Sequence, residues 1–110
     1  AWKATYRLLL DLYRVTQSWP RHELYGLSSQ VRRAGYAASA NIAEGAARKG
    51  PREFRRFLDY SLGSLAELSV GLRLAKDTGI LSLGDYKRLR AKLRDAGRLT
   101  SALARSMRKA

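Results

Sequence analysis

A chain of 110 residues that is 45% hydrophobic and 28% charged reads as one soluble globular domain spanning 1–110, not as a disordered segment. Twenty-two lysines and arginines against nine acids give a net charge of +13, which points to a polyanionic partner. Cysteine is absent, which excludes disulfides and thiolate chemistry, and no apolar run approaches the roughly 20 residues that cross a bilayer. A cytoplasmic protein without a membrane role is the expectation.

Four helices are predicted, with no competing strand pattern. The first covers about Thr5 to Ser18, with Tyr6, Leu9, Leu12, Tyr13 and Thr16 at bundle-like spacing. Trp19-Pro20 ends it, because the residue before proline is pushed out of the helical region. Arg21 to Gly26 is a connection, with His22 exposed in it.

The second helix begins near Leu27 or Ser28 and runs to about Ala47, with Leu27, Val31, Ala34, Ala38, Ile42 and Gly45 inward. Its small-sided middle, Ala34 to Ala40, should let neighbouring backbones come close. Gly50-Pro51 opens the third helix, which runs to about Asp77 with Phe54, Leu58, Ser61, Leu65, Leu68, Leu72 and Ala75 as a heptad-like seam. Gly79 caps its C-terminus, and Ser82 to Asp85 resembles a capping box opening the fourth helix. Short loops between long helices predict an all-α, antiparallel up-down-up-down four-helix bundle.

The positive charge is local. Leu83 to Ala110 carries +7 and Arg48 to Arg56 carries +4. On a helical projection Lys87, Arg90, Arg94, Arg98, Arg105, Arg108 and Lys109 share one face of the fourth helix, while Tyr86, Leu89, Leu93, Ala96, Leu103 and Met107 share the other. Asp85 and Asp95 fall off the basic face. The stripe would extend about 33 Å, enough to follow a polyanion. A second basic cluster, Arg48, Lys49, Arg52, Arg55 and Arg56, surrounds the start of the third helix, whose free N–H groups favour a phosphate. The competing expectation there is that Arg52 and Arg56 pair with Glu53 and Asp59 on a solvated surface.

Leu27-Ser28-Ser29-Gln30-Val31-Arg32-Arg33-Ala34, Ser39-Ala40-Asn41-Ile42-Ala43-Glu44-Gly45, Glu53-Phe54-Arg55-Arg56-Phe57-Leu58 and Gly63-Ser64-Leu65-Ala66-Glu67-Leu68 follow one another in a specific order and spacing. Together with Trp19-Pro20 and Tyr25-Gly26-Leu27 they resemble the four-helix-bundle proteins encoded within bacterial ribosomal RNA intervening sequences. That family is related to the accessory variability proteins of diversity-generating retroelements. The resemblance covers about Trp19 to Leu68. It implies a homopentameric ring with a basic surface and, for the retroelement branch, binding to nucleic acid and to a reverse transcriptase. Ser39 stands where the family commonly has proline, so a kink of the second helix is absent or weaker here.

Asn41 to Gly45 is the most specific run in the chain. Glu44 as a general acid or base lacks a second positioned group, so a structural polar cluster of Arg33, Asn41, Glu44 and Glu67 is the preferred reading. A lone His22 builds no transition-metal site, and no Glu-x-x-His pair supports a di-iron centre. Tyr6, Tyr13, Tyr36, Tyr60 and Tyr86 are expected mostly at core-like positions, so base stacking is not anticipated. Trp2 and Trp19 are read as interface or bundle-end anchors.

The expected function is therefore that of a non-enzymatic oligomeric nucleic-acid-binding protein, meeting RNA or an RNA–DNA hybrid, with no cofactor, metal or small-molecule substrate. The alternative is a protein–protein scaffold whose basic face docks a nucleic-acid-handling enzyme.

Overall fold

A computed structural model describes residues 1–23 and 26–107. Four α-helices make up the fold: α1 (Trp2–Thr16), α2 (Leu27–Ala46), α3 (Pro51–Asp77) and α4 (Leu83–Met107), with a 3-10 turn at Arg21–Glu23. No strand occurs among the described residues. Each helix packs on its neighbours in the chain and α1 also packs on α4, while the diagonal pairs α1–α3 and α2–α4 do not approach. The result is a four-helix bundle measuring 45 × 23 × 18 Å.

The helix ends follow local chemistry. Trp19 stops α1 as the residue before Pro20, and its ring is drawn into the core at 7% exposure. The Leu27 N–H donates to Glu23 Oε2 at 3.0 Å, so the connection itself supplies a cap for α2. After α3, Gly79 takes φ +81 while its N–H donates to Lys76 O and the Ile80 N–H to Ala75 O, a Schellman stop. Ser82 Oγ accepts from the Asp85 N–H at 3.1 Å, which completes one half of the capping box. The other half is not made, because the short Asp85 carboxylate takes Arg88 instead.

Burial matches the predicted seams of α2 and α3 closely. Val31, Ala34, Ala38, Ile42 and Gly45 are buried on α2, and Leu58, Ser61, Leu65, Leu68, Leu72 and Ala75 on α3, with Leu27 and Phe54 half-buried. The small residues of α2 do bring helices together. A Cβ on Gly35 would stand 2.5 Å from Leu12 Cδ1, and one on Gly45 would stand 2.7 Å from Phe57 Cβ. Helix α2 is continuous through Ser39, which is buried.

The predicted face of α1 needs correction. The buried set is Thr5, Leu8, Leu9, Asp11, Leu12, Val15 and Thr16, which leaves Tyr6 and Tyr13 exposed. Two overlapping stripes run along this helix, about 100° apart. The inward one is apolar at Leu8, Leu12 and Val15, and its threonines hide their hydroxyls: Thr5 Oγ1 donates to Trp2 O and Thr16 Oγ1 to Leu12 O. The tyrosines, with a polar tip, take the wet edge.

At one end of the bundle Ile42, Leu58 and Ala104 form a small core with Ala1, Phe54, Leu103 and Met107 packed against it. The start of α3 and the last turns of α4 are thereby held together.

Candidate nucleic-acid interface

Helix α4 owes its outer basic face to the side it buries. Leu89, Ala96, Thr100 and Ala104 point into the core, and Tyr86, Leu93, Leu103 and Met107 flank them half-buried. Lys87, Arg90, Arg94, Arg98 and Arg105 are all exposed on the far side. Arg108 and Lys109 lie outside the described residues. Among the described residues, Lys87, Arg90 and Arg94 have no acidic partner. The stripe is not wholly free of acid, however. Arg98 NH2 comes within 3.8 Å of Asp95 Oδ1, an exposed pair of little energetic weight. Arg105 donates to Ser101 Oγ.

Two basic residues of α4 outside the predicted stripe, Arg88 and Lys92, serve a different purpose. Asp11 on α1 is 1% exposed and sits between them. Arg88 Nε donates to Asp11 Oδ2 at 3.0 Å and Arg88 NH2 to Oδ1 at 3.1 Å, while Lys92 Nζ donates to Oδ2 at 2.9 Å. The Arg88 hydrogen bonds lower the Asp11 pKa below the ordinary carboxylate value; burial opposes this and Lys92 adds to it. The same pairing raises the Arg88 pKa, so its charge is fixed. These cations are structural, and the signal that would have found them was the lone acid on the apolar face of α1. Beside them, Arg7 and Arg14 of α1 share with Lys92 and Arg98 a groove of about 450 Å³ that also presents Leu10 and Leu99. The basic surface thus extends from α4 onto α1.

At the corner between α2 and α3, Gly50 has φ +86 and no side chain caps the helix that starts at Pro51. Lys49 and Arg52 are exposed and unpaired among the described residues. Arg48 pairs with Glu44, Arg56 Nε with Glu53 Oε2 at 3.0 Å, and Arg55 Nε with Asp59 Oδ2 at 3.8 Å. The solvated-pair expectation therefore holds for Arg56 with its partner Glu53, whereas Asp59 takes Arg55 and Arg52 stays free.

The polar cluster expected of Arg33, Asn41, Glu44 and Glu67 is not brought together within the chain. Arg33 NH2 donates to Gln30 Oε1, Asn41 Nδ2 to Ala37 O, and Glu44 accepts from Arg48, while Glu67 is exposed on α3. The first three are satisfied along their own helix at a spacing of three or four, so nothing draws them across the bundle.

The aromatic expectation is also overturned. Tyr36 is 62% and Tyr60 49% exposed, and Tyr6 and Trp2 are open on the surface, stacked at 4.9 Å. Of the five tyrosines expected inside, only Tyr86 is half-buried, with Lys76 Nζ 4.8 Å from its ring centre. Trp2, Tyr6 and Tyr36 line a groove of about 440 Å³ between α1 and α2, floored by Ala40, Ala43 and Ala47. His22 is exposed in the first connection, as expected. No group of three metal-ligating side chains occurs among the described residues. No helix among them is long and apolar enough to cross a membrane.

The fold and surface define a class: a four-helix bundle with one buried ion-pair lock and an outer basic stripe. The chain belongs to the 23S rRNA-intervening sequence protein family, whose model matches residues 1–102. A protein of unknown function from the S23 ribosomal protein family of Bacteroides thetaiotaomicron has a similar structure, with a TM-score of 0.82 over 94% of this chain and 96% of that one. At 18% identity this likeness concerns the fold. No curated protein matches the chain.

Proposed function

We propose that the protein is a non-enzymatic, oligomeric nucleic-acid binder that holds the backbone of RNA or an RNA–DNA hybrid. One observation carries this reading. The cations Lys87, Arg90, Arg94, Arg98 and Arg105 of α4 face outward, and the packed end of Phe54, Leu58, Leu103 and Met107 joins the last described turns of α4 to the start of α3. Two basic segments far apart in sequence thus lie on helices joined at one end, which supports a backbone passing from one to the other. The family's name, which refers to a 23S rRNA insert, fits an RNA partner. A role as accessory to a reverse transcriptase, as in the related retroelement proteins, is the narrower form of this proposal.

An antiparallel up-down-up-down course is supported by the levels at which α2 and α3 meet. Gly45 faces Phe57, Ser61 Oγ donates to Ala38 O, and Gly71 faces Val31, so numbers fall on one helix as they rise on the other.

For a ring of five copies, the groove between α1 and α2 is the favoured contact. Residues 34–47 carry no basic side chain and only one acid, Glu44. Copies charged +13 repel least there, and Trp2, Tyr6 and Tyr36 supply apolar area to bury. The same groove supports the alternative reading of a protein scaffold.

Fluorescence anisotropy of the purified protein with structured RNA, single-stranded DNA and heparin across a salt series tests the proposal. If about six phosphates are engaged, affinity falls roughly a thousandfold between about 50 and 200 mM salt. RNA binding that outcompetes heparin near physiological salt supports it. Equal, salt-abolished binding to all three turns the assignment to the scaffold.

A further inference from the structure

The 48–56 corner is more than a patch of charge. Arg48, Phe57, Arg56 and Tyr60 form a cluster in which two arginine heads lie against two touching aromatic rings. The Arg48 guanidinium lies 5.1 Å from the Phe57 ring centre, and that of Arg56 lies 5.2 Å from Phe57 and 5.8 Å from Tyr60. Phe57 and Tyr60 meet edge to face at 5.5 Å. Glu44 and Glu53 pair with the two arginines, which offsets part of their charge. The unpaired cations left here are Lys49 and Arg52. Arg52, Arg56 and Tyr60 follow at intervals of four on α3, so they share one edge of that helix over about 12 Å. Tyr60 keeps half of its surface open to solvent.

We infer that this edge of α3 is a stacking station for the bases of single-stranded nucleic acid, with Tyr60 as the platform and Lys49 and Arg52 as the phosphate contacts. The inference rests on the nucleic-acid reading above and narrows it, since a duplex keeps its bases inside and has nothing to offer Tyr60. This helix edge offers a further flat π-system the open half of the Tyr60 ring, beside the Arg56 guanidinium. A strand lying along it exposes bases and phosphates together, which matches an aromatic ring interleaved with cations on a single helix edge. A purely electrostatic patch has no need of the rings.

The test uses the full chain and three labelled probes: a 12-nucleotide single-stranded RNA, an abasic oligonucleotide of the same length and charge, and a 12-base-pair RNA duplex. The base-bearing strand is expected to bind about tenfold more tightly than the abasic one. Tyr60→Ala removes that preference and leaves abasic affinity unchanged, whereas Tyr60→Trp keeps it. Arg52→Gln weakens base-bearing and abasic strands alike. Circular dichroism establishes that each variant is folded, and the side chains concerned are at the surface. Equal affinity of the native protein for the base-bearing and abasic strands overturns the stacking station while leaving backbone binding intact. Equal weakening of both by Tyr60→Ala also overturns it. If neither strand nor duplex binds, the nucleic-acid reading falls with it.

Discussion

Arg88 of α4 grips the buried carboxylate of Asp11 of α1 with two nitrogens, Nε on Oδ2 at 3.0 Å and NH2 on Oδ1 at 3.1 Å. Lys92 closes the same carboxylate from one turn further along α4. These are side-chain bonds between the first and last helices, and they fix the rotation and the height of α4 against α1. The rotation matters for the surface, because turning Arg88 and Lys92 toward α1 leaves Lys87, Arg90 and Arg94 facing out.

The two sides of this lock differ in cost. The arginine and lysine keep about 40% of their side chains in water, whereas the acid keeps almost none. Arg88→Met combined with Lys92→Met leaves the buried Asp11 with only Arg14, 3.7 Å away and mostly in water, and should cost about 3 kcal/mol. Asp11→Ala lets both cations swing into solvent and should cost less, about 2 kcal/mol. Urea unfolding of the three proteins gives the order; a larger loss from Asp11→Ala contradicts it.

The depressed Asp11 pKa sets a pH dependence with a definite sign. Its stabilisation is complete above the unfolded carboxylate pKa of about 4 and disappears as pH falls through the lower folded value. The stability gap between the native protein and Asp11→Asn should therefore be constant from pH 7 to about 5 and narrow below about 4. Asp77, also lowered by its bonds to Lys76 and Arg73, is on the surface with half of its side chain in water, and Asp77→Asn should leave thermal unfolding nearly unchanged. Denaturation monitored at each pH would show a parallel, non-converging pair of curves if Asp11 were not the group responsible.

Helix packing at glycine makes a contrast within one protein. A Cβ at Gly45 collides with Phe57 Cβ and crowds the Phe54 backbone, so Gly45→Ala should lose about 1–3 kcal/mol. Gly63, in the middle of α3, has nothing within 4 Å of such an atom. Gly63→Ala should gain about 0.5–1 kcal/mol from helix propensity and reduced freedom of the unfolded chain. Thermal melts of both variants check the two opposite signs.

The stripe and the lock separate in a charge-removal experiment. Neutralising Arg94, Arg98 and Arg105 to Gln should leave stability nearly unchanged, because their only acidic neighbour among the described residues is the exposed Asp95. RNA affinity should drop, and the slope of log K against log salt should flatten by about 0.7 for each single-strand phosphate no longer neutralised. Arg88→Gln should do the reverse, lowering stability while leaving the slope intact. An unchanged slope in the triple variant would remove α4 from the interface.

Much of the fold was legible because α2 and α3 have a single apolar stripe each. Val31, Ala38 and Ile42, or Leu58, Leu65 and Leu72, recur at helical spacing with no rival set, and Gly79 and Pro51 mark helix limits through backbone chemistry alone. Helix α1 was harder. Leu9, Leu12 and Thr16 of its predicted stripe are buried, but packing put Thr5, Leu8 and Val15 inside in place of Tyr6 and Tyr13. Of the candidate interface, the exposure of Lys87, Arg90 and Arg94 followed from the helical projection. The pairing of Arg48 with Glu44 and its place on Phe57 did not, since they depend on how the ends of α2 and α3 meet.

By itself the sequence determined four helices, the limits set by Pro51 and Gly79, the seams of α2 and α3, and two concentrations of positive charge. Those properties are local or periodic, set by backbone preferences and by the 3.6-residue turn. Only the tertiary structure decided which cations are bound to Asp11 and which stay free, that Tyr6, Tyr13, Tyr36 and Tyr60 stand outside, and that residues 103–107 of α4 pack against the start of α3. Those outcomes join residues up to 81 positions apart, and the physical reason is that burial is assigned by the packed whole: one carboxylate taken into the core must find its counter-charges wherever the neighbouring helix presents them.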